Sequence, residues 1–168
     1  SEQVNTTAIG YNTAFTATGS NLTAIGTQAF FGSSTGNDNT GVGVNVGYDN
    51  TSGSSLTGVG VEALRRNTTG SNNTAIGKDA LNANTASNNT AVGYQSSRDN
   101  TTGQQNVFVG GFSGADNTTG TLNTGIGYSA LGANSVDQTG NYNTALGGFA
   151  LQNNTTASNN TAVGYQAG

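Results

Sequence analysis

Neither cysteine nor histidine occurs among these 168 residues. Without thiols there can be no disulfide and no thiolate metal site. Without imidazole as well, most nucleophile–base pairs and transition-metal sites are excluded. Charge is scarce: Lys and Arg total 4, Asp and Glu 8, and charged residues make up 7% of the chain, against roughly 25% in ordinary domains. Phosphate neutralisation needs clustered cations, so nucleic-acid binding is not expected. The net charge of −4 is mild and spread out, as on a solvated surface. No apolar run is long enough to span a membrane, so no membrane insertion by this segment is expected, and no signal peptide is recognisable. Hydrophobic residues are 32%, below the usual ~45–50%. Such a composition normally marks disorder, because too little apolar surface is buried to offset chain entropy.

What is present argues against disorder. A phrase Asn-Thr-Ala-(Ile/Val)-Gly recurs along the whole chain, its glycines at Gly10, Gly26, Gly43, Gly60, Gly77, Gly93, Gly110, Gly127, Gly147 and Gly164. The successive gaps are 16, 17, 17, 17, 16, 17, 17, 20 and 17. A period this short is the mark of a repeat architecture. With each glycine as position 0, position −1 is always branched aliphatic, from Ile9 to Val163, and −3 is Thr except at Val107. Position −2 is Ala or Gly except at Phe108, and −4 is mostly Asn. Position +3 is mostly Ala and +4 often Leu, as at Ala80 and Leu81. Position +7 is Asn in most repeats, Asn134 included, and +8 is Ser or Thr, Ser135 included.

Thr, Ile and Val favour a pleated strand, and alternation puts −3 and −1 on one face, −4 and −2 on the other. Gly, Asn and Ser clusters break the chain on both sides. A helix fits poorly, because no 3.6-residue stripe survives. Each repeat therefore predicts one coil of an all-β solenoid: a short strand ending at the glycine, a second short strand carrying the Ala-Leu pair, and a polar turn. About ten coils of ~17 residues would stack into a rod on the order of 45–50 Å long. The aliphatic at −1 and the Thr at −3 are expected inside, with the small −2 residues letting another chain approach. Stacked Asn at −4 and +7 would form amide ladders and stacked Thr would share hydroxyl bonds. The array is in phase from its first residues to Gly168, so residues 1–168 are expected to be one solenoid domain within a longer fibre.

As it stands in Asn73-Thr74-Ala75-Ile76-Gly77 and Asn160-Thr161-Ala162-Val163-Gly164, the phrase resembles the head repeat of trimeric autotransporter adhesins, the YadA-like head. Aligned on the glycine, that family's Ala, Ile and Gly match positions −2, −1 and 0, and its Val falls on the Thr position. The resemblance covers essentially the whole chain. It implies a left-handed parallel β-roll, assembled as a homotrimeric rod at the bacterial cell surface. It also implies attachment to a host or prey surface protein, matrix or glycan. Similar repeats occur in phage tail fibres, so a virion fibre binding an envelope glycan is the alternative. Ice binding by an outward Thr ladder is a third reading, set aside because Thr shares its face with the aliphatic. The repeat here is longer than that family's, and Thr for Val makes this face more polar.

No catalytic, cofactor-binding or metal site is expected, and no enzyme. Asp99 and Asp116, both at +6, could stack into a weak cation site, but read first as solvated loop charges. Gly-x-Gly strings such as Gly41-Val42-Gly43 lack the helix-opening context of a phosphate loop. Possible ligand contacts are the irregular coil around Phe108 and Phe112, and the longest gap, placed within 136–142, with Val136, Asp137, Gln138 and Tyr142. Loops on rigid scaffolds often carry recognition. Tyr11, Tyr94, Tyr128 and Tyr165 share position +1, as a coil-edge or subunit-seam cover or as an exposed aromatic row.

Overall fold

The computed structural model describes residues 5–32, 34–132 and 136–168, so Asn134 and Ser135 lie outside the described residues. Ten three-residue strands form at the recurring phrase: β1 (Thr7–Ile9), β2 (Thr23–Ile25), β3 (Thr40–Val42), β4 (Thr57–Val59), β5 (Thr74–Ile76), β6 (Thr90–Val92), β7 (Val107–Val109), β8 (Thr124–Ile126), β9 (Thr144–Leu146) and β10 (Thr161–Val163). They make one parallel sheet in chain order. Thr pairs with Thr and aliphatic with aliphatic at nearly every step, as in Thr40↔Thr57 and Val42↔Val59. The chain is a β-solenoid.

Each coil contains one strand. The expected second strand at the Ala-Leu pair does not form among the described residues. The chain there alternates into the left-handed region at +2 and +4, as at Glu62 (φ 59°), Leu64 (φ 56°), Asp79 (φ 58°) and Leu81 (φ 49°). This curls the backbone instead of extending it. A left-handed non-glycine residue costs about 1–2 kcal/mol, offset here by burial and by rungs that continue around the coil. Leu64 N–H donates to the Ala80 carbonyl at 3.0 Å and Arg66 N–H to the Asn82 carbonyl at 2.9 Å. Position 0 must be glycine: φ at Gly110 is 130°, and a Cβ there would lie 2.4 Å from the carbonyl oxygen of Gly127.

The strand faces are reversed from expectation. Residues at −2 point inward: Ala24, Ala75, Ala91 and Ala145 are fully buried. Thr at −3 and the aliphatic at −1 point outward, half-buried only by their neighbours above and below. The reason lies in the coil's width. The interior is narrow and is filled from −4, −2, +3 and +4. Leu64, Leu81, Leu131 and Leu151 enter from +4 in four coils, Phe30 from +4 in another, Val46 from +3, Phe108 from −2, and Leu22 and Leu56 from −4. With these positions filling the interior, the −1 aliphatic is buried in none of the described strands. The small −2 residues therefore serve the interior and not the approach of another chain.

The amides are also inside. At +7 they form the expected ladder: Asn67 Nδ2 donates to Asn50 Oδ1 at 3.3 Å, Asn84 to Asn67 at 2.9 Å, Asn100 to Asn84 at 2.7 Å and Asn117 to Asn100 at 3.0 Å. At −4 the amide mostly binds backbone: Asn106 Oδ1 accepts from the Asn123 N–H at 2.9 Å, and its Nδ2 donates to the Gly120 carbonyl at 2.8 Å. The +8 hydroxyls of Thr51, Thr85, Thr101 and Thr118 donate to the next coil's carbonyl, as Thr101 to Thr118 at 2.9 Å. Buried side-chain amides need partners, and stacking identical coils supplies them.

Candidate functional site

Phe108, proposed from sequence as a contact, is 1% exposed and belongs to the core. Its ring occupies space left by Gly114 and Gly125, where an added Cβ would lie 2.5 Å and 2.8 Å from the ring. Gln138 is likewise buried, at 3%. Its backbone pairs with Asn117 and accepts from the Thr118 N–H at 3.0 Å, so it is an in-register rung. The three extra residues of the longest gap therefore precede Gln138: Leu131 is still in register, donating to Ala150 at 3.0 Å. Val136 and Asp137 belong to that insertion and are exposed. Tyr142 does not: it sits at the regular −5 position, bonded to Thr121 like its counterparts, with its side chain 59% exposed.

Phe112 and the tyrosines do come together. Tyr94, Phe112, Tyr128, Phe149 and Tyr165 form an unbroken ladder of rings on five successive rungs. Tyr128 and Tyr165 are 53% and 71% exposed. Tyr11 shares the column and is exposed, but stands apart: Thr27, Val44, Val61 and Lys78 separate it from the ladder. Phe149 escapes a search of +1 because it stands at +2 behind Gly148, as Phe112 stands behind Gly111. A second aromatic set was legible only as a column at +5: Phe15, Phe31 and Tyr48 stack face to face, with centroids 5.7 and 5.2 Å apart.

The outward face of the sheet is a two-column surface, Thr at −3 except for Val107 and a branched aliphatic at −1, repeated over ten rungs without a charge. Ile76, Ile126 and Leu146 are 40–46% exposed although each has rungs on both sides.

Arg65, Lys78 and Arg98 each pair with a neighbouring carboxylate. Arg98 bridges the two +6 carboxylates, donating to both oxygens of Asp99 and to Asp116 Oδ1 at 3.4 Å. A third donor reaches Gln95 Oε1 at 3.1 Å. The Asp99–Asp116 pair is thus occupied by a guanidinium. The hydrogen bond to Asp99, then the charges of Asp99 and Asp116, raise the Arg98 pKa against the opposing effect of burial. Lys78 pairs with Asp79 at 3.2 Å and lies 5.7 Å from the Tyr94 ring centroid. No cluster of three or more potential metal-ligating side chains occurs among the described residues, and no helix there is long and apolar enough to cross a membrane. A cleft of about 320 Å³ beside the last coil, lined by Leu151, Asn153, Asn154, Ala157, Asn160 and Gly168, presents amides and apolar groups only. No protein-family model, curated protein or solved structure matches this chain.

Proposed function

We propose that this chain is a structural and adhesive segment of an extracellular fibre, assembled as a homotrimer and attaching to a host or prey cell surface or matrix. The observation that carries the reading is the uncharged Thr/aliphatic face repeated over ten rungs. In a single chain it leaves a continuous strip of branched aliphatics in water, and such strips mark association surfaces. Three copies packed about an axis parallel to the rod would cover it on all three. Each half-exposed aliphatic covered contributes about 1 kcal/mol, so ten offer about 10 kcal/mol per chain before the cost of association. The resemblance to YadA-like head repeats points the same way. A bacterial surface fibre and a virion fibre share this architecture, and the domains joined to it in the full-length gene distinguish them.

Light scattering after size exclusion tests the assembly. With 16.7 kDa per chain, a trimer gives about 3 × 16.7 = 50 kDa. Val59→Lys at the middle of the face should yield monomers with unchanged circular dichroism. A stable wild-type monomer sinks the trimer.

One observation favours a second reading, ice binding. The Thr column faces outward, which removes the ground for setting that reading aside. Stacked coils repeat hydroxyls every ~4.8 Å along the rod, of the same order as the oxygen repeat in ice. Thermal hysteresis in the wild type, abolished by Thr57→Lys, would establish it over the trimer.

A further inference from the structure

We infer that the ladder from Tyr94 to Tyr165 is a binding track for a neutral, extended, β-1,4-linked polysaccharide lying along the rod. Its five rings have neighbouring centroids 5.1, 5.7, 5.4 and 5.7 Å apart. They come from two positions in the repeat. Tyr at +1 alternates with Gly at +1 and Phe at +2, so every rung keeps a ring although the local sequence changes. The two glycines seat the next tyrosines: a Cβ at Gly111 or Gly148 would stand 3.5 Å from the ring of Tyr128 or Tyr165. The coil itself does not need these rings. Thr27, Val44 and Val61 occupy the +1 column in earlier coils that make the same rungs.

The ligand class follows from spacing, orientation and charge. One ring per rung is close to one pyranose per rung in an extended chain. Adjacent rings are turned 65–90° from one another, so ring orientation alternates along the track. In a β-1,4 chain each sugar is flipped against the last, and the same C–H face recurs every second residue, as tyrosine does every second rung. Pyranose C–H faces stack on aromatic rings while the sugar hydroxyls lie at the edge, where the phenol groups can meet them. The nearby cations are already paired, Lys78 with Asp79 and Arg98 with Asp99 and Asp116. A neutral polymer fits this better than an anionic one. The Phe15–Phe31–Tyr48 stack is not a second track: its rings lie 11° and 13° from parallel, so ring orientation does not alternate along it, and it spans only three rungs.

The inference gives a ligand to the attachment role proposed above but stands on the ladder alone, and the two are read separately. Calorimetric titration with cellohexaose and chitohexaose should show binding of at least one, with maltohexaose, whose α-linkages curl the chain, inert. Tyr128→Ala should weaken binding by roughly tenfold or more, and Tyr128→Phe should keep it. Phe31→Ala, in the parallel stack, should change nothing. Mass by light scattering should stay as in the wild type throughout, with circular dichroism reporting the fold. Absence of binding to both β-linked hexamers overturns the inference. So does equal binding of maltohexaose, or a Tyr128→Ala variant that binds like the wild type. If Tyr128→Ala changes the mass and the wild type binds no sugar, the ladder is a subunit seam.

Discussion

Phe108 and Phe30 each fill room that two neighbouring glycines vacate. For Phe30 these are Gly41 and Gly47, where a Cβ would lie 2.6 and 2.5 Å from the ring. The position that supplies the large interior side chain thus shifts along the repeat, between −2 and +4 in these two coils. Phe108→Ala should therefore cost about 3–5 kcal/mol, and Gly114→Leu alone should be destabilising by overpacking. Together they recreate the Ala-at-−2, Leu-at-+4 pattern of the coil holding Ala75 and Leu81. Gly114 already has the left-handed φ of 58° that Leu81 adopts at 49°. The double variant should unfold within about 1.5 kcal/mol of the wild type in a denaturant titration. Single residues also set the pH response. The hydrogen bond and charge of Asp79 raise the Lys78 pKa. A raised cation pKa contributes stability that is present below the unfolded value of 10.5 and lost as pH rises through the folded value. Lys78→Met should accordingly abolish a loss of stability seen only in strongly alkaline solution, and leave the melting temperature at neutral pH nearly unchanged.

At the scale of one coil, the two glycines of Gly110-Gly111 have different duties. Gly110 sits at φ 130° against the carbonyl of the coil beyond it, whereas a Cβ at Gly111 meets only ordinary contact with the Tyr128 ring at 3.5 Å. Gly110→Ala should lower stability by several kcal/mol, since strained φ and a backbone clash add. Gly111→Ala should stay within about 0.5 kcal/mol. Thermal melts of the pair separate a glycine required by the coil from one that merely seats a ring. The strand is similarly divided. Its alternation was legible in Thr-Ala-Ile, but which side faces in was not, because period 2 defines two faces without labelling them. The label came from volume: large side chains from −4, −2, +3 or +4 fill the interior, and the −1 aliphatic faces outward.

At the scale of the whole molecule, stability is a sum over nearly identical neighbours. Excising residues 78–93 joins Gly77 directly to Tyr94, the same position of the next coil, and brings Ile76 beside Val109. That variant should fold, with the denaturation midpoint lowered slightly and the circular dichroism shape kept. Removing half that length breaks every rung beyond the cut and should leave the remainder misregistered, exposed to proteolysis. The outward face is also a property of the whole array, since one Thr-x-Val step is unremarkable and ten in register make a surface. Its assembly or ligand is read from mass and thermal hysteresis, and the aromatic ladder from sugar titration.

The repeat by itself determined the all-β class, the length of a coil, the places of the strands, the glycine that turns each one and the amide ladder at +7. These follow from periodicity and from backbone rules that act within a few residues or between identical positions. Only the tertiary structure decided that −2 faces in and Thr faces out. It also replaced the second strand by left-handed turns, moved the insertion ahead of Gln138 and joined Phe149 to the tyrosines. Each of these depends on the volume inside a closed coil or on which position of one coil lies over which of the next. Closure of the coil sets both, and no single repeat contains it.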